Sequence, residues 1–253
     1  LPSLAKKIFN SFDLCLASSM ESKKYFQKLN VKNLKYYGNL KFSAAVKYKK
    51  IINKNQKVLR QKKIWCAAST HKGEEQICLK AHINLKKIYE NLITVIIPRH
   101  VNRSSEIQNL CNQLKLKSQI LNQNSSIKKD KEIVIINYFG SLPKYFHFSK
   151  SVFIGKSLIS ELKQVSGQNP IEAVKMGCKV YHGPFVYNFK EIYNLLKSWG
   201  IAKQINNEDD LSKKILLDFK NAKNSKNIVI KKITYLGDGI LNNTLKEVQN
   251  LII

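Results

Sequence analysis

The chain has 253 residues, with 44 Lys and Arg against 17 Asp and Glu, for a formal charge of +27 at neutral pH. That length suits one large or two smaller cored domains. No apolar run approaches the ~20 residues needed to span a bilayer, and nothing near the start reads as a signal peptide. The first residue is Leu1 and not Met, so a fragment or processed form is expected. Five cysteines (Cys15, Cys66, Cys78, Cys111, Cys178) form no CxxC pair and lie in or beside apolar segments. This argues for a reducing compartment and against a zinc site or disulfide framework. The five histidines make no HExxH or similar cluster. The positive charge has two readings: an anionic partner (nucleotide, nucleic acid or membrane surface), or a compositional excess of Lys spread along the whole chain.

In chain order, Phe12 to Ala17 reads as a short strand, and Ser18 and Ser19 can cap a helix over Met20 to Leu29. Leu34 to Tyr37 is a second strand, ending at Gly38-Asn39; this small βαβ unit has too little sheet to close a core. Residues 47–63 are rich in Lys and Asn and read as a linker with some helix. A repeating pattern follows. Strands are expected at Ile64 to Ala68, Leu92 to Ile97, Ser118 to Leu121, Glu132 to Asn137, Ser151 to Ile154, Val180 to His182 and Ile201 to Ile205. Helices are expected at Glu74 to Tyr89, Ser104 to Leu116, after Gly140, after Pro170 and over Phe189 to Trp199, with more helix beyond. Apolar strands alternating with helices imply a parallel sheet covered on both faces, in an α/β, Rossmann-like domain over residues 64–239. Ligands of such sheets bind at the carboxyl ends of the strands, where Ser69 to Gly73, Pro98 to Arg103, Gly140 to Leu142 and Gly155 to Glu172 all fall. The last segment, residues 240–253, carries Leu241, Leu245, Val248, Leu251 and Ile252 at helical spacing, an apolar face fit to pack on another domain.

The segment Ser166 to Ala173 carries the most local information. Gly167 permits a close approach, Asn169 stands where a helix cap belongs, Pro170 suits the first turn, and Glu172 follows. A helix N-terminus at a glycine loop suits an anion, whereas a carboxylate one turn in is better used on a ribose diol. A capped helix with a solvated Glu is the plain alternative. Two other motifs fail. Gly155-Lys156-Ser157 resembles the end of a P-loop, but position 150, where the motif needs its first glycine, is Lys150. No GxGxxG follows any strand, which argues against a nicotinamide or flavin.

Six ordered motifs then resemble one family. They are Phe12-Asp13-Leu14; Gly38 to Phe42; Ala68 to His71 with Gly73-Glu74-Glu75; Pro98-Arg99-His100 with Arg103; Gly167 to Ala173; and Gly183-Pro184 with Asn188-Phe189. Together they resemble the 3-deoxy-D-manno-octulosonic acid (Kdo) transferases of lipopolysaccharide assembly, from about Phe12 to about Ile205. Lys156, Ser166, Gln168 and Ala173 depart from the commonest pattern of the family. The resemblance implies the C-terminal half of an inverting GT-B glycosyltransferase with a remnant of the N-terminal domain at residues 1–46. It implies CMP-Kdo as donor and a lipid A precursor as acceptor. It also implies a place at the cytoplasmic face of the bacterial inner membrane, with an anionic membrane surface as a further partner. The general base and the membrane anchor are expected upstream of Leu1, so the chain by itself is expected to bind CMP without transferring Kdo.

On this reading Pro98, Arg99, Gly140, Ser141, Leu142, Asn169, Pro170, Ile171 and Glu172 bind the donor, with Ser69, His71 and His100 as secondary candidates. Arg99 offers a fork of N–H groups to an oxyanion. Gly140 to Leu142 and Ile171-Glu172 offer backbone N–H groups, and Glu172 holds the ribose. No cofactor and no metal is expected, since a single phosphate can be neutralised by basic groups. Arg99 could instead be a surface residue, His71 and His100 could cap or pack, and Gly140 could be a turn glycine. The alternatives are another GT-B enzyme with a different sugar nucleotide, or a non-catalytic basic module for nucleotides or nucleic acid. With no RNP-like motif in the chain, nucleic acid is not expected as a partner.

Overall fold

The computed structural model describes residues 2–44, 54–221 and 226–252. The chain divides into two compact units, Leu1–Lys47 with Ile230–Ile253, and Tyr48–Val229.

The first unit opens with a helix that the sequence reading does not reach, α1 (Pro2–Asn10). Its apolar residues Leu4, Ala5, Ile8 and Phe9 stand at helical spacing, yet none of them is buried. Strand β1 (Cys15–Leu16), helix α2 (Met20–Lys28) and strand β2 (Leu34–Lys35) form the expected βαβ unit, with the two strands parallel. Ser19 caps α2, its Oγ accepting from the Ser22 N–H at 3.0 Å. Among the described residues each of these strands pairs with the other alone, over two residues, and so is shorter than its apolar run.

The second unit is a doubly wound sheet. After α3 (Gln56–Arg60) come β3 (Lys63–Thr70), α4 (Glu74–Lys86), β4 (Leu92–Pro98), α5 (Ser104–Gln113), β5 (Ser118–Leu121), β6 (Ile133–Ile136) and α6 (Leu142–Phe146). These are followed by β7 (Ser151–Ile154), α7 (Ile171–Lys175), β8 (Lys179–His182), α8 (Lys190–Ser198), β9 (Ala202–Gln204) and α9 (Glu208–Lys220). Seven parallel strands lie in the order β5-β6-β4-β3-β7-β8-β9. Every residue of β4, β6 and β7 is buried, as expected of apolar runs covered on both faces. Beneath the sheet, Trp65, Leu79, Leu85, Ile96, Ile107 and Phe153 belong to one core cluster. All five cysteines are buried and none forms a disulfide.

The expected linker differs in part. Up to residue 53 it lies outside the described residues, but Asn55 and Leu59 are buried within the sheet unit. Asn55 Oδ1 accepts from the Ile127 N–H at 2.8 Å, which ties α3 to the loop before β6.

The last helix, α10 (Lys226–Ile252), runs without a break through position 239, where the sequence reading ends the sheet domain. From Ile230 onward it belongs to the first unit. There the Glu247 carboxylate accepts from Lys35 Nζ at 2.6 Å and from the Tyr37 hydroxyl. Leu241, Leu245, Val248, Leu251 and Ile252 remain exposed. Among the described residues no helix is long and apolar enough to cross a membrane.

Candidate functional site

The chain enters the sheet at β3, winds outward through β4, β5 and β6, and returns beside β3 as β7 to wind the other way. The β3–β7 boundary is therefore the switch point, where doubly wound sheets open a crevice at the strand carboxyl ends. Here the chain departs from regular geometry. The β3–β4 register shifts between Ala68 and Thr70, and the intervening Ser69 has a φ of 55°. A β-bulge at a left-handed non-glycine residue is the kind of local strain kept where it re-aims the backbone.

Across the switch point the loops after β3 and β7 interlock. Gly155 follows β7 directly; a Cβ there would stand 2.5 Å from the Ser69 carbonyl oxygen and 2.6 Å from Thr70 Cα. Only glycine fits. The fully buried Glu74 carboxylate accepts four backbone N–H groups: His71 at 2.9 Å and Lys156 at 2.8 Å on Oε2, Ser157 at 2.9 Å and Leu158 at 3.0 Å on Oε1. Burial pushes the Glu74 pKa upward, and the four N–H donors oppose it. A protonated carboxyl would set its own O–H among donors alone, so the bonded form is the anion. The likeness of Gly155-Lys156-Ser157 to a phosphate loop now has a structural account. The Gly155 N–H continues the ladder to the Ala68 carbonyl, but those of Lys156 and Ser157 do converge on an anion, and that anion is the protein's own Glu74.

The network continues outward. Ser157 Oγ accepts from the Gly183 N–H at 2.9 Å, and its carbonyl accepts from the Phe185 N–H at 2.8 Å. The Ser166 carbonyl accepts from Asn188 at 3.1 Å, and the Tyr193 hydroxyl donates to the Gln168 carbonyl at 3.0 Å. Glu74 thus anchors a chain of bonds that reaches the loop before α7. Neighbouring Glu75, also fully buried, is held by Arg103, with Nη1 at 2.7 Å and Nη2 at 3.2 Å. The sequence reading placed neither glutamate in the site. The Gly73-Glu74-Glu75 signal resembles the acidic first turn of any helix.

The expected site residues all stand at this end of the sheet. Ser69 and His71 follow β3; Pro98, Arg99 and His100 end and follow β4. These two groups meet: the Arg99 N–H donates to the Thr70 carbonyl at 3.1 Å, and the His71 and His100 rings stand 5.9 Å apart, edge to face. His71 Nδ1 lies 3.1 Å from the Ser69 carbonyl, and burial holds its pKa below the ordinary range. The Arg99 guanidinium is exposed and has no partner among the described residues. Gly140 (φ 72°), buried Ser141 and Leu142 open α6 beyond β6. Their N–H groups have no acceptor among the described residues.

Asn169, Pro170, Ile171 and Glu172 open α7 beyond β7. Asn169 Oδ1 accepts from the Ile171 N–H at 3.1 Å, as its capping position predicts, while Pro170 already has helical angles and regular helix begins at Ile171. Glu172 is half-buried. Its carboxylate has no partner among the described residues, and burial alone raises its pKa. A desolvated carboxylate without donors is an acceptor held ready for a ligand's hydroxyl groups.

No family model matches the chain. Among curated proteins it is 27% identical over 211 residues to a 3-deoxy-D-manno-octulosonic acid transferase of Haemophilus influenzae, covering 79% of this chain and 45% of that protein. It is 24% identical over 214 residues to the enzyme of that name from Aquifex aeolicus, covering 84% of this chain and 56% of that protein. The chain is a relative of the Kdo transferases. It spans about half the length of the curated Kdo transferases it matches. Among solved structures it resembles the C-terminal CMP-Kdo binding domain of WaaA from Acinetobacter baumannii, with a TM-score of 0.59 and 20% identity over 72% of this chain and 91% of that one. It also resembles a glycosyltransferase from Rickettsia africae, with a TM-score of 0.56 and 13% identity over 100% of this chain and 68% of that one. These likenesses establish the fold, the α/β architecture of GT-B glycosyltransferases.

Proposed function

We propose that this chain is the donor-binding part of a glycosyltransferase that moves Kdo from CMP-Kdo to a lipid A precursor. The observation that carries this reading is the half-buried, unpartnered Glu172 carboxylate at the start of α7, on the switch-point side of the sheet. The kinship with Kdo transferases and the fold shared with a CMP-Kdo binding domain support the choice of donor.

Each group has a role that its chemistry allows. Glu172 accepts the ribose hydroxyls of CMP. The free N–H groups of Gly140, Ser141 and Leu142 donate to the phosphate or the base. Arg99, exposed and without a carboxylate partner, meets the negative charge that grows on the departing CMP phosphate. Pro98 sets the entry to that loop; Asn169, Pro170 and Ile171 fix the start of α7; Ser69, His71 and His100 shape the floor. Glu74 is a positioning residue, because it holds the loops after β3 and β7 and does not face the ligand. With cationic and backbone donors at hand, departure of the phosphate needs no metal. Transfer inverts the sugar centre, with the general base and the acceptor contacts supplied from outside these residues, so the chain alone binds CMP and does not transfer Kdo. Work on a lipid acceptor places the enzyme at the cytoplasmic face of the inner membrane, where the net charge of +27 favours an anionic surface.

Titration calorimetry with CMP tests the site. Glu172→Ala and Arg99→Ala are each expected to weaken binding by about 1.5–3 kcal/mol, the usual worth of a hydrogen bond involving a charged group, with unchanged circular dichroism. If both variants bind CMP like the parent, the site lies elsewhere. UDP and GDP titrations separate this reading from a GT-B enzyme with another donor.

A further inference from the structure

We propose that the Lys156 ammonium is a further donor-binding group, holding the CMP phosphate at the switch point between β3 and β7. The identity of that anion rests on the donor reading above; the cationic site itself rests on the geometry of Lys156. This residue departs from the commonest pattern of the family, so the resemblance gives it no role.

The backbone at Lys156 is held from both sides. Its φ is 57°, in the left-handed region that glycine enters freely and lysine enters only with strain. Its N–H donates to Glu74 Oε2 at 2.8 Å, and its carbonyl accepts from the Gly167 N–H at 2.6 Å. These two bonds fix the direction in which the side chain leaves the loop. A glycine would make both without strain, so the backbone alone gives no reason for a side chain here. Strain held in place by its surroundings collects at ligand sites.

The same bonds put Lys156 at the centre of the candidate site. The His71 N–H donates to the same Glu74 oxygen, at 2.9 Å, so the two residues stand side by side over one carboxylate. The His71 ring meets that of His100, and the Arg99 N–H donates to the carbonyl of Thr70, next to His71. On the other side, Gly167 leads directly into Asn169 and Glu172. Lys156 is thus joined to the loop after β3 and to the loop into α7, and through His71 to the loop after β4.

The charges around it do not balance. Glu74 is saturated by four N–H groups, and Glu75 is held by Arg103, which also bonds Glu106. Lys156 is half-buried, and its ammonium has no carboxylate or hydrogen-bond partner among the described residues. Its charge reaches His71. Burial is the main cause that holds this imidazole's pKa down, the Ser69 carbonyl opposes it, and Lys156, His100 and Arg103 add to it. A half-buried cation whose neighbouring carboxylates are engaged elsewhere is a site for an oxyanion. The N–H groups of Lys156 and Ser157 already serve Glu74, so the lysine side chain is what this loop can offer a phosphate. A cation fixed there in advance stabilises the charge that grows on the phosphate as the sugar leaves.

The test uses the whole chain, with Lys156→Gln to remove the charge and Lys156→Arg to keep it. Lys156→Gly, which relieves the left-handed strain, supplies a second uncharged variant should the first fold poorly; circular dichroism checks each. CMP and cytidine are titrated by calorimetry, and inorganic phosphate through the NMR shifts of the His71 ring. CMP affinity is expected to fall at least tenfold in the Gln and Gly variants and to stay within threefold of the parent in the Arg variant. Cytidine, which lacks the phosphate, should bind all of them alike. In the free protein the His71 pKa should rise in Lys156→Gln, because a neighbouring cation is gone. Phosphate should raise that pKa in the parent and not in Lys156→Gln. Unchanged CMP binding in the uncharged variants, an equal loss for cytidine, or a His71 pKa indifferent to Lys156 would each overturn the proposal. The two readings fail separately. CMP that binds parent and Lys156→Gln equally removes the lysine site and leaves the donor reading. A parent that ignores CMP, yet whose His71 responds to phosphate through Lys156, keeps the cationic site and removes the donor reading.

Discussion

The Glu74 carboxylate offers the sharpest test of how this site is built. Glu74→Gln keeps size and shape and replaces one of two oxygens by an NH2 group. Each oxygen takes two N–H donors, His71 with Lys156 or Ser157 with Leu158. Whichever oxygen is lost, two N–H groups are stranded against a third donor. A stranded buried donor costs about 1–3 kcal/mol, so the pair costs about 2–6 kcal/mol. The His71 and Lys156 N–H groups are only part-buried and can be partly hydrated, which puts the expected loss near 2–4 kcal/mol. With a urea m-value of about 2–3 kcal/mol/M, the unfolding midpoint should fall by about 1 M. CMP affinity should fall with it, because the loop carrying Asn169 and Glu172 is bonded to this network at one remove. An unchanged midpoint would mean that the carboxyl is already neutral in the fold and that its oxygens do not act as an anionic anchor.

Gly155→Ala is expected to cost about 1–3 kcal/mol, since the new methyl meets backbone and not a movable side chain; an unchanged melting temperature would show that the two loops are not in contact. For pH, the folded pKa of His182 is about 4 and the ordinary value is near 6.5. Between those values the unfolded chain binds the extra proton, so stability is lost as pH falls from about 6.5 to 4, by up to about 3 kcal/mol, and is flat above. His182→Asn should flatten that part of the unfolding profile relative to the parent, and equal profiles would refute the assignment. EDTA should leave CMP binding unchanged, because cationic and backbone donors meet the phosphate; a strict Mg²⁺ requirement would refute that account.

Much of this architecture is local and therefore legible in the residues. The runs Leu92 to Ile97 and Ile133 to Ile136 announce strands buried on both faces, and the helical pattern between them implies a parallel sheet with its site at the carboxyl ends. Asn169-Pro170 announces a helix start, because capping uses atoms two residues apart. What the sequence does not carry is any relation across long chain separations. Glu74 looks like an ordinary first-turn acid until the fold brings it to N–H groups more than eighty positions away. Gly155-Lys156-Ser157 looks like a phosphate cradle until that same carboxylate is seen to fill it. Gly155 itself gives no sign that the Ser69 bulge lies against it. Helix α10 belongs with the first unit because Gly237 lies against the Phe42 backbone and the buried Ile240 against Gly38, approaches that no periodicity encodes. Periodicity and capping are set by the backbone geometry of a few neighbouring residues; the anchor and the close approach are set by which strand lies beside which, and that is decided only when the whole sheet packs.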